Sequence, residues 1–277
     1  KTWNLDIRQN YGGTITWESY GEGKVYLGAV EYTPEEAEIV YHINTLGGLN
    51  EVGKNMYCVE HDDEIIIIDA GVKFAEDGMP GIDYVIPDYS YLKRNQRKIK
   101  ALLITHGHED HIGGIPFLLQ VVNVPFIYAS PLACAMITRK LEEKRLTEAT
   151  KLVQIDTLYH ITTKHFNIGF FKTNHSIPES LGIIINSPNG RIVSTGDFKF
   201  DLTPVGEPAD YQIMSFLGET GVTLLLSDST NAEVPNFSIS EKQVSQSVQE
   251  EFRKTEGRLI VATFASNVHR VQQIIDA

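Results

Sequence analysis

The apolar positions of this chain form short continuous runs, separated by polar loops and by segments with a helical period. The runs IIII at 65–68 and ALLI at 101–104 are typical of strands that are buried on both faces. Val244, Val248 and Phe252 recur every four residues after Ser240, which can cap a helix that starts there. Strands that alternate with helices predict an α/β fold.

The same patterns predict the individual elements. Residues 14–32 are interpreted as short strands around the turn Gly21-Glu22-Gly23, and a helix is predicted for 33–40. The strands predicted after that are 42–46, 56–61, 64–68, 99–106, 125–130, 152–155, 166–172, 181–187, 191–195, 222–227 and 258–265. The predicted helices are 112–122, 131–145, 240–254 and 267–276, with a partly helical segment at 84–98. The irregular spacing of the strands argues against a simple doubly wound sheet, and no GxGxxG phosphate loop is present.

Composition limits the class of protein. The 277 residues are 42% hydrophobic, which is enough for one large domain, or for one domain and part of another. The formal net charge of −12 argues against a protein that coats nucleic acid, but bound divalent metals would add local positive charge. Cys58 and Cys134 lie far apart and are interpreted as reduced thiols. With no signal-peptide pattern and no run near ~18 apolar residues, we expect a cytoplasmic protein without a membrane span.

The densest group of chemically active side chains is His106-Gly107-His108-Glu109-Asp110-His111, directly after the strand ALLIT. Neutral imidazoles and carboxylates are ligands for zinc and related divalent metals. His106 and His108 are two positions apart, so an extended backbone points both to the same side, where they can chelate one ion. Asp110 and His111 follow the turn and can face a second ion. A solvated polar loop is the alternative interpretation.

Further candidate ligands end other predicted strands. His175 can complete the first metal site, and Asp197 can bridge two cations with its two carboxylate oxygens. Asp69 ends the strand IIII and can orient a ligand histidine by a hydrogen bond, although a plain turn aspartate would have the same spacing. The other five histidines have no comparable neighbours and are interpreted as surface or packing residues: His42, His61, His160, His165 and His269.

These residues form a series that resembles the motifs of the metallo-β-lactamase superfamily. The similar segments are GGLNEVGKNMY, HGHEDHIGG, GDFKFD, LLSDSTNAE and VATFASNVHR, and together they resemble the ribonuclease J family of the β-CASP branch. The resemblance implies an αββα sandwich into which a β-CASP domain is inserted. It also implies a division into an N-terminal extension of unknown role at 1–42, a metallo-β-lactamase domain at 43–230 and the start of a β-CASP domain at 231–277. The C-terminal segment that returns to the sandwich, and a later histidine ligand, are expected to be absent.

The resemblance also implies roles for particular residues. His106, His108 and His175 would bind one zinc ion, Asp110 and His111 the other, and Asp197 would bridge them. Asp228 matches the first acidic residue of the β-CASP motifs, close to the metal centre, and joins Asp110 and Asp197 as a catalytic candidate. Ser266, Asn267 and Arg270 are candidate RNA contacts, with a helix N-cap and an ordinary helix surface as the alternative. Lys199, beside Asp197, is the lysine expected to meet a phosphate.

The activity that the resemblance implies is metal-dependent hydrolysis of RNA in RNA maturation and decay. Two ions, zinc or alternatively manganese, would activate a shared hydroxide and neutralise the phosphate. Endonuclease and 5′-3′ exonuclease action both remain open. The resemblance implies a homodimer or homotetramer that works with RNA-degradation partners. Two other functions remain open: another hydrolase of the same fold, such as a thioesterase or a lactamase, and a non-catalytic RNA-binding subunit.

Overall fold

The computed structural model describes residues 13–15, 25–27, 30–32, 42–49, 51–76 and 78–277. The predicted turn at 21–23 and the predicted helix at 33–40 lie outside the described residues. Within them, no helix is long and apolar enough to cross a membrane.

Two β-sheets form the centre of the molecule. The first has seven strands in the order β1-β4-β5-β6-β9-β10-β11, and the second has five in the order β12-β13-β14-β15-β16. The strands of the first sheet are β1 (Gly13–Ile15), β4 (His42–Gly47), β5 (Met56–His61), β6 (Glu64–Ile68), β9 (Ile99–Leu103), β10 (Phe126–Ala129) and β11 (Lys151–Gln154). Those of the second are β12 (Ile161–Thr162), β13 (Asn167–Lys172), β14 (Leu181–Ser187), β15 (Gly190–Ser194) and β16 (Leu224–Leu226). Two small ribbons pair β2 (Val25–Leu27) with β3 (Val30–Tyr32), and β7 (Lys73–Phe74) with β8 (Tyr84–Val85).

The described residues form seven α-helices. They are α1 (Ser90–Asn95), α2 (Glu109–Ile112), α3 (Ile115–Leu119), α4 (Pro131–Lys144), α5 (Tyr211–Thr220), α6 (Glu241–Lys254) and α7 (Val268–Asp276). One apolar cluster joins the first sheet to α1, α3 and α4, a second lies between the two sheets, and a small third joins the second sheet to α5. These three clusters separate four layers, so the predicted αββα sandwich is confirmed.

The position of strand β6 explains why its sequence is continuously apolar. All of its residues are buried. Ile65 and Ile67 belong to the cluster on the helix side, whereas Ile66 and Ile68 belong to the cluster between the sheets. Successive side chains of a strand point to opposite faces, and both faces of this one are covered. The strand pairs antiparallel with β5 and parallel with β9, which places it in the middle of the sheet.

Three predictions of secondary structure differ from the structure. The strand predicted at 258–265 is wrong: the segment forms no strand, since no described strand pairs with its backbone, and Ile260 and Phe264 are exposed. The helix predicted at 112–122 is interrupted, because α2 and α3 are separate helices on either side of Gly113 and Gly114. Helix α5 was not predicted, and within it only Leu217 is buried.

Candidate metal centre

The candidate ligands meet because several strands end at the same edge of the sandwich. Strands β6 and β9 run parallel, and Asp69 and His106 follow their carboxyl ends. In the second sheet β14 is antiparallel to both β13 and β15, so β13 and β15 run in the same direction and deliver His175 and Asp197 to one edge. The amide of Leu181 donates to the Thr105 carbonyl at 2.8 Å, which joins the two sheets at this edge.

His106, His108 and His175 form the first ligand set. The Nδ1 atom of His108 lies 3.1 Å from Nε2 of His106 and 3.0 Å from Nε2 of His175. In a tetrahedral zinc site with Zn–N bonds of 2.0–2.1 Å, two ligand nitrogens are about 3.3 Å apart. The three nitrogens therefore have the spacing of a zinc site and would need only small shifts to bind an ion.

His111, Asp110 and Asp197 form the second ligand set, next to the first. The Nε2 atom of His111 lies 3.3 Å from Oδ1 of Asp197 and 3.5 Å from Oδ2 of Asp110. The other oxygen of Asp197, Oδ2, lies 3.6 Å from Nε2 of His175. Asp197 thus presents one oxygen to each set, which is the geometry a bridging carboxylate needs. His106 also comes within 4.8 Å of His111 and Asp197, so the two sets adjoin.

Asp69 fixes the orientation of His111. Its Oδ2 accepts hydrogen bonds from Nδ1 of His111 at 2.8 Å and from the Thr105 hydroxyl at 2.8 Å, and its Oδ1 accepts from the Thr105 amide at 2.8 Å. Asp69 is 2% exposed and has a left-handed backbone, with φ 57°. With its proton on Nδ1, His111 presents the lone pair of Nε2 to a metal, so the geometry fits the orienting role predicted for Asp69.

His106 and His108 each have a hydrogen-bond partner for the ring nitrogen that faces away from the centre. The Thr105 hydroxyl donates to Asp69, so it can accept from Nδ1 of His106 at 3.0 Å, which leaves Nε2 of His106 free. Nε2 of His108 donates to the Ser266 carbonyl at 3.3 Å, which leaves Nδ1 free. These protonation states follow from the hydrogen-bond network. Each histidine is thus arranged as a neutral ligand with a defined donor atom.

Burial keeps the first ligand set neutral. Removal from water, together with the neighbouring histidines, holds the pKa of His106 well below its usual value. Burial also lowers the pKa of His108, and it lowers that of His175 to about 4. Neutral imidazole is the form that binds metal, so the histidines of the first set are ready to bind a cation at neutral pH.

The second set has the opposite electrostatics. Burial would lower the pKa of His111, but the carboxylates of Asp69, Asp110 and Asp197 outweigh burial and raise it well above its usual value. For Asp110 and Asp197, burial raises the pKa, but His111 outweighs it and the net shift of both is downward. This buried group of carboxylates therefore favours a positive charge at its centre. A divalent cation would supply that charge in place of the His111 proton.

A backbone clamp fixes the loop that carries Asp110 and His111. The Asp110 carbonyl accepts from the Asn55 amide at 3.0 Å, and the His111 carbonyl accepts from the Ala70 amide at 2.8 Å. Gly71 lies so close to this loop that a Cβ atom there would sit 1.6 Å from the Asp110 carbonyl oxygen. Only glycine allows this approach, so Gly71 is required for the position of the loop that carries Asp110 and His111.

Sequence reasoning missed two residues of the site. The side-chain amide of Asn55 lies 3.1 Å from Nε2 of His111 and 3.4 Å from Oδ2 of Asp110. Thr105 connects Asp69 to His106 through its hydroxyl. The only signals in the sequence were the glycine-rich loop that precedes Asn55 and the position of Thr105 beside the first histidine. Neither signal distinguishes these residues from ordinary loop positions.

The structure places Asp228 at the same edge but outside the cluster. It follows β16, which runs parallel to β15, and its amide donates to the Thr195 hydroxyl at 3.1 Å. Its Oδ1 accepts from the Thr230 amide at 2.8 Å. Among the described residues, no hydrogen bond or ion pair joins Asp228 to the six candidate ligands.

The candidate RNA contacts have partners within the protein. Lys199 donates to the Ile239 carbonyl at 2.7 Å and pairs with Glu241 at 2.9 Å, so its charge is largely neutralised. The side chain of Asn267 accepts from the Arg270 amide at 3.0 Å and caps α7. The Arg270 guanidinium bonds Gln273 and Glu241, and Ser266 lies near the centre through its carbonyl contact with His108. This geometry matches the helix-cap interpretation of Asn267 and gives Lys199 and Arg270 structural partners.

Comparison with known proteins agrees with this geometry. The profile of the metallo-beta-lactamase superfamily matches residues 49–244. A crystal structure of a protein of unknown function from Enterococcus faecalis V583 superposes with a TM-score of 0.63 at 15% identity, covering 85% of this chain and 63% of that one. At this identity the superposition supports the fold alone.

The sequence relatives are more specific. Ribonuclease J 1 of Streptococcus pyogenes is 58% identical over 232 residues, ribonuclease J of Mycoplasma pneumoniae is 48% identical over 234, and ribonuclease J2 of Bacillus subtilis is 42% identical over 236. The alignments cover 84%, 84% and 85% of this chain but only 41%, 41% and 42% of those proteins. The four-layer fold and the profile match show that this chain belongs to the metallo-β-lactamase superfamily, and its relatives include the ribonucleases J.

Proposed function

We propose that this chain binds two divalent metal ions between its two sheets and that this centre hydrolyses phosphodiester bonds of RNA. The observation that carries the proposal is the position of Asp197, whose two carboxylate oxygens face His111 and His175 at 3.3 and 3.6 Å. One carboxylate between two ligand sets is the arrangement that a two-metal hydrolase needs. The similarity to ribonucleases J supports RNA as the substrate.

The roles of the residues follow from their contacts. His106, His108 and His175 would hold the first ion, and His111, Asp110 and Asp197 the second, with Asp197 shared. When bound, the ions would lower the pKa of a water molecule and neutralise charge on the phosphate. Asp69 and Thr105 keep the free nitrogens of His111 and His106 directed at the centre. Asp228 remains a candidate for orienting a proton donor, because it ends the strand beside the one that leads to Asp197.

RNA must approach a chain with a formal net charge of −12. Lys98 precedes β9, the strand that leads to the metal centre, and Lys100 lies within it, but they pair with Glu60 and Glu64. Lys199 and Arg270 also have acidic partners. We therefore expect the metal ions themselves to supply most of the positive charge that meets the scissile phosphate, with Ser266, which precedes α7, as a further candidate contact.

The metal, the domain division, the assembly and the location are also proposals. Zinc fits the imidazole-rich first set, and manganese is the alternative for a mixed nitrogen and oxygen site. The division into an extension at 1–42, a metallo-β-lactamase domain at 43–230 and the start of a β-CASP domain at 231–277 remains our prediction. So do a homo-oligomeric assembly, RNA-degradation partners and a cytoplasmic location.

The deciding experiment combines metal content with cleavage. The chain is freed of metal with a chelator, loaded with zinc or manganese, and its bound metal is measured by elemental analysis. Cleavage of a 5′-labelled RNA is then compared between the native chain, Asp197→Ala and Asp156→Ala. Asp156 is an exposed aspartate whose carboxylate accepts from the Leu158 amide at 2.9 Å and which is not among the candidate ligands, so it serves as a control of the same residue type.

We expect two ions at the centre of the native chain, fewer in Asp197→Ala, and an RNA cleavage rate that falls at least about a hundredfold, or ~3 kcal/mol of transition-state stabilisation. Asp156→Ala should match the native chain. If Asp197→Ala folds and binds as much metal as the native chain, the proposed metal centre is refuted. Hydrolysis of a thioester with no cleavage of RNA would favour the related thioesterase function instead.

A further inference from the structure

A second group of histidine and aspartate side chains lies outside the proposed catalytic centre. Nε2 of His61 and Nε2 of His165 each lie 3.8 Å from Oδ2 of Asp62. One nitrogen or oxygen from each of the three residues falls within 4.8 Å of the other two. Both histidine side chains are largely buried, and their rings pack edge to face with centroids 4.7 Å apart.

The group lies at the opposite end of the sandwich from the proposed catalytic centre. His61 ends β5, and Glu64 begins β6, whose other end leads to Asp69. Five residues of extended strand span roughly 17 Å. His165 precedes β13, whose far end leads to His175. The three residues therefore come from two hairpin turns, one in each sheet, and they are remote from the six residues described above.

The spacing of the three donor atoms suits a transition-metal ion. Ligand atoms of a tetrahedral zinc ion are about 3.3 Å apart, so the two 3.8 Å separations would need to contract by about half an ångström. Asp62 is the exposed member of the group, so it can move by this amount. Two imidazoles and one carboxylate are a common zinc ligand set, and the fourth position would be open to water.

A buried carboxylate fixes His165 in place. Glu64 accepts hydrogen bonds from the His165 amide at 2.9 Å, from the Thr163 hydroxyl at 2.5 Å and from the Lys164 amide at 3.3 Å. It is 4% exposed. Glu64 belongs to the first sheet, whereas these three residues form the turn before β13 of the second. The turn is thereby tied to the hairpin that carries His61 and Asp62, so the two imidazoles are held together without a metal.

One competing interaction is present. Oδ1 of Asp63 lies 2.9 Å from Nε2 of His165, and the same oxygen accepts from Lys164 at 2.9 Å. A cation would have to displace Asp63 from His165. Lys164 provides Asp63 with another partner when that happens.

We propose that His61, Asp62 and His165 form a second, structural binding site for a divalent transition metal of the zinc class, which links the two sheets at the end remote from the catalytic centre. Such an ion joins the β5–β6 turn of the first sheet to the turn before β13 of the second. A ligand that binds only the folded chain stabilises it, so zinc at this site raises the melting temperature.

The test counts zinc ions in matched variants of the 277-residue chain. After treatment with chelator, the native chain, His165→Gln and His160→Gln are equilibrated in buffered zinc and analysed for bound metal. His160 is an exposed histidine of the same region and serves as the control. We expect His165→Gln to bind one ion fewer than the native chain and His160→Gln to bind the same number. The zinc-dependent rise in melting temperature should be smaller in His165→Gln.

The difference between native chain and variant does not depend on the catalytic centre. If that centre bound nothing, the native chain would still hold one ion and His165→Gln none. Should His165→Gln fail to fold, Asp62→Asn replaces it, because asparagine accepts the left-handed backbone at this position, with φ 50°. We expect Asp62→Asn to weaken binding at this site at least tenfold. Equal zinc content and affinity in the native chain and the folded variant would overturn the proposal.

Discussion

Replacement of Asp69 by asparagine tests how the second metal ligand set is oriented. In the native chain one oxygen, Oδ2, accepts both the His111 Nδ1 proton and the Thr105 hydroxyl, while Oδ1 accepts the Thr105 amide. Asparagine has a single oxygen. If that oxygen keeps the Thr105 amide, the NH₂ group faces His111 and favours the tautomer with its proton on Nε2. That proton blocks the nitrogen which would bind the metal.

The expected magnitude follows from this change of tautomer. Loss of a residue that orients a ligand histidine typically lowers metal affinity by about 10–100-fold, which is ~1.4–2.7 kcal/mol. The loss should fall on the ion held by His111. The ion held by His106, His108 and His175 should be affected less, because Asp69 reaches this set only through the Thr105 hydroxyl that accepts from His106. The backbone should be unaffected, since asparagine tolerates the left-handed φ of 57°.

The assay is competition for zinc between the metal-free chain and a chromophoric chelator, with Asp156→Asn as a control of the same chemistry in an exposed turn. Besides the zinc proposed at His61, Asp62 and His165, two affinities should be resolved, and Asp69→Asn should weaken one of these two. At a pH where His111 of the metal-free variant carries a single proton, long-range nitrogen–proton NMR should show that proton on Nε2. A folded Asp69→Asn chain with both native affinities would refute the role of Asp69 in orienting His111. Stronger weakening of the first ion than of the second would contradict the assignment of His111 to the second ligand set.

Three further predictions concern packing, protonation and thiol chemistry. Gly71→Ala should destabilise the chain by about 3 kcal/mol or more, because its Cβ would overlap the Asp110 carbonyl. Gly218→Ala in α5 is the control: its Cβ meets no atom within 4 Å, so it should be neutral or stabilising. Urea unfolding measures the free energy of unfolding of both variants. In the metal-free chain, an NMR titration should show His175 protonating near pH 4. Because an unfolded histidine protonates near 6.5, the contribution of His175 to stability should fall as the pH drops from about 6.5 to 4. A normal pKa for His175 would contradict the burial argument. Burial raises the pKa of Cys58 far above its usual value and that of Cys134 to about 11. Neither thiol should therefore react with Ellman's reagent at pH 8 until the chain is unfolded. Labelling of the native chain at the rate of the unfolded chain would contradict this prediction.

The sequence by itself determined the fold class and the cluster of candidate ligands. The apolar runs of β6 and β9 required strands covered on both faces, and three histidines within six residues at the end of such a strand required an explanation beyond chance. Both signals are local: each depends on residues close together in the chain. The helices α4, α6 and α7 were predicted for the same reason, from periodicity and end signals within one segment.

Tertiary structure decided which distant residues meet. Asn55 and Thr105 reach the centre only because the glycine-rich loop and the end of β9 pack against the loop of Asp110, and no local pattern marks such a contact. His61 and His165 looked like isolated histidines, although 104 positions of sequence separate two turns that Glu64 holds side by side.

The same reason explains where sequence reasoning went wrong. The segment 258–265 has the composition of a strand, but a strand exists only when another strand pairs with its backbone groups, and that depends on the rest of the fold. The phosphate contact predicted for Lys199 stays a prediction, but the pairing of its ammonium group with Glu241 on α6 is a contact that the sequence does not indicate. Residue type and local pattern determined what chemistry this chain can carry. The packing of two sheets against each other determined which of those groups share a site, because side chains far apart in sequence meet only once the two sheets have come together.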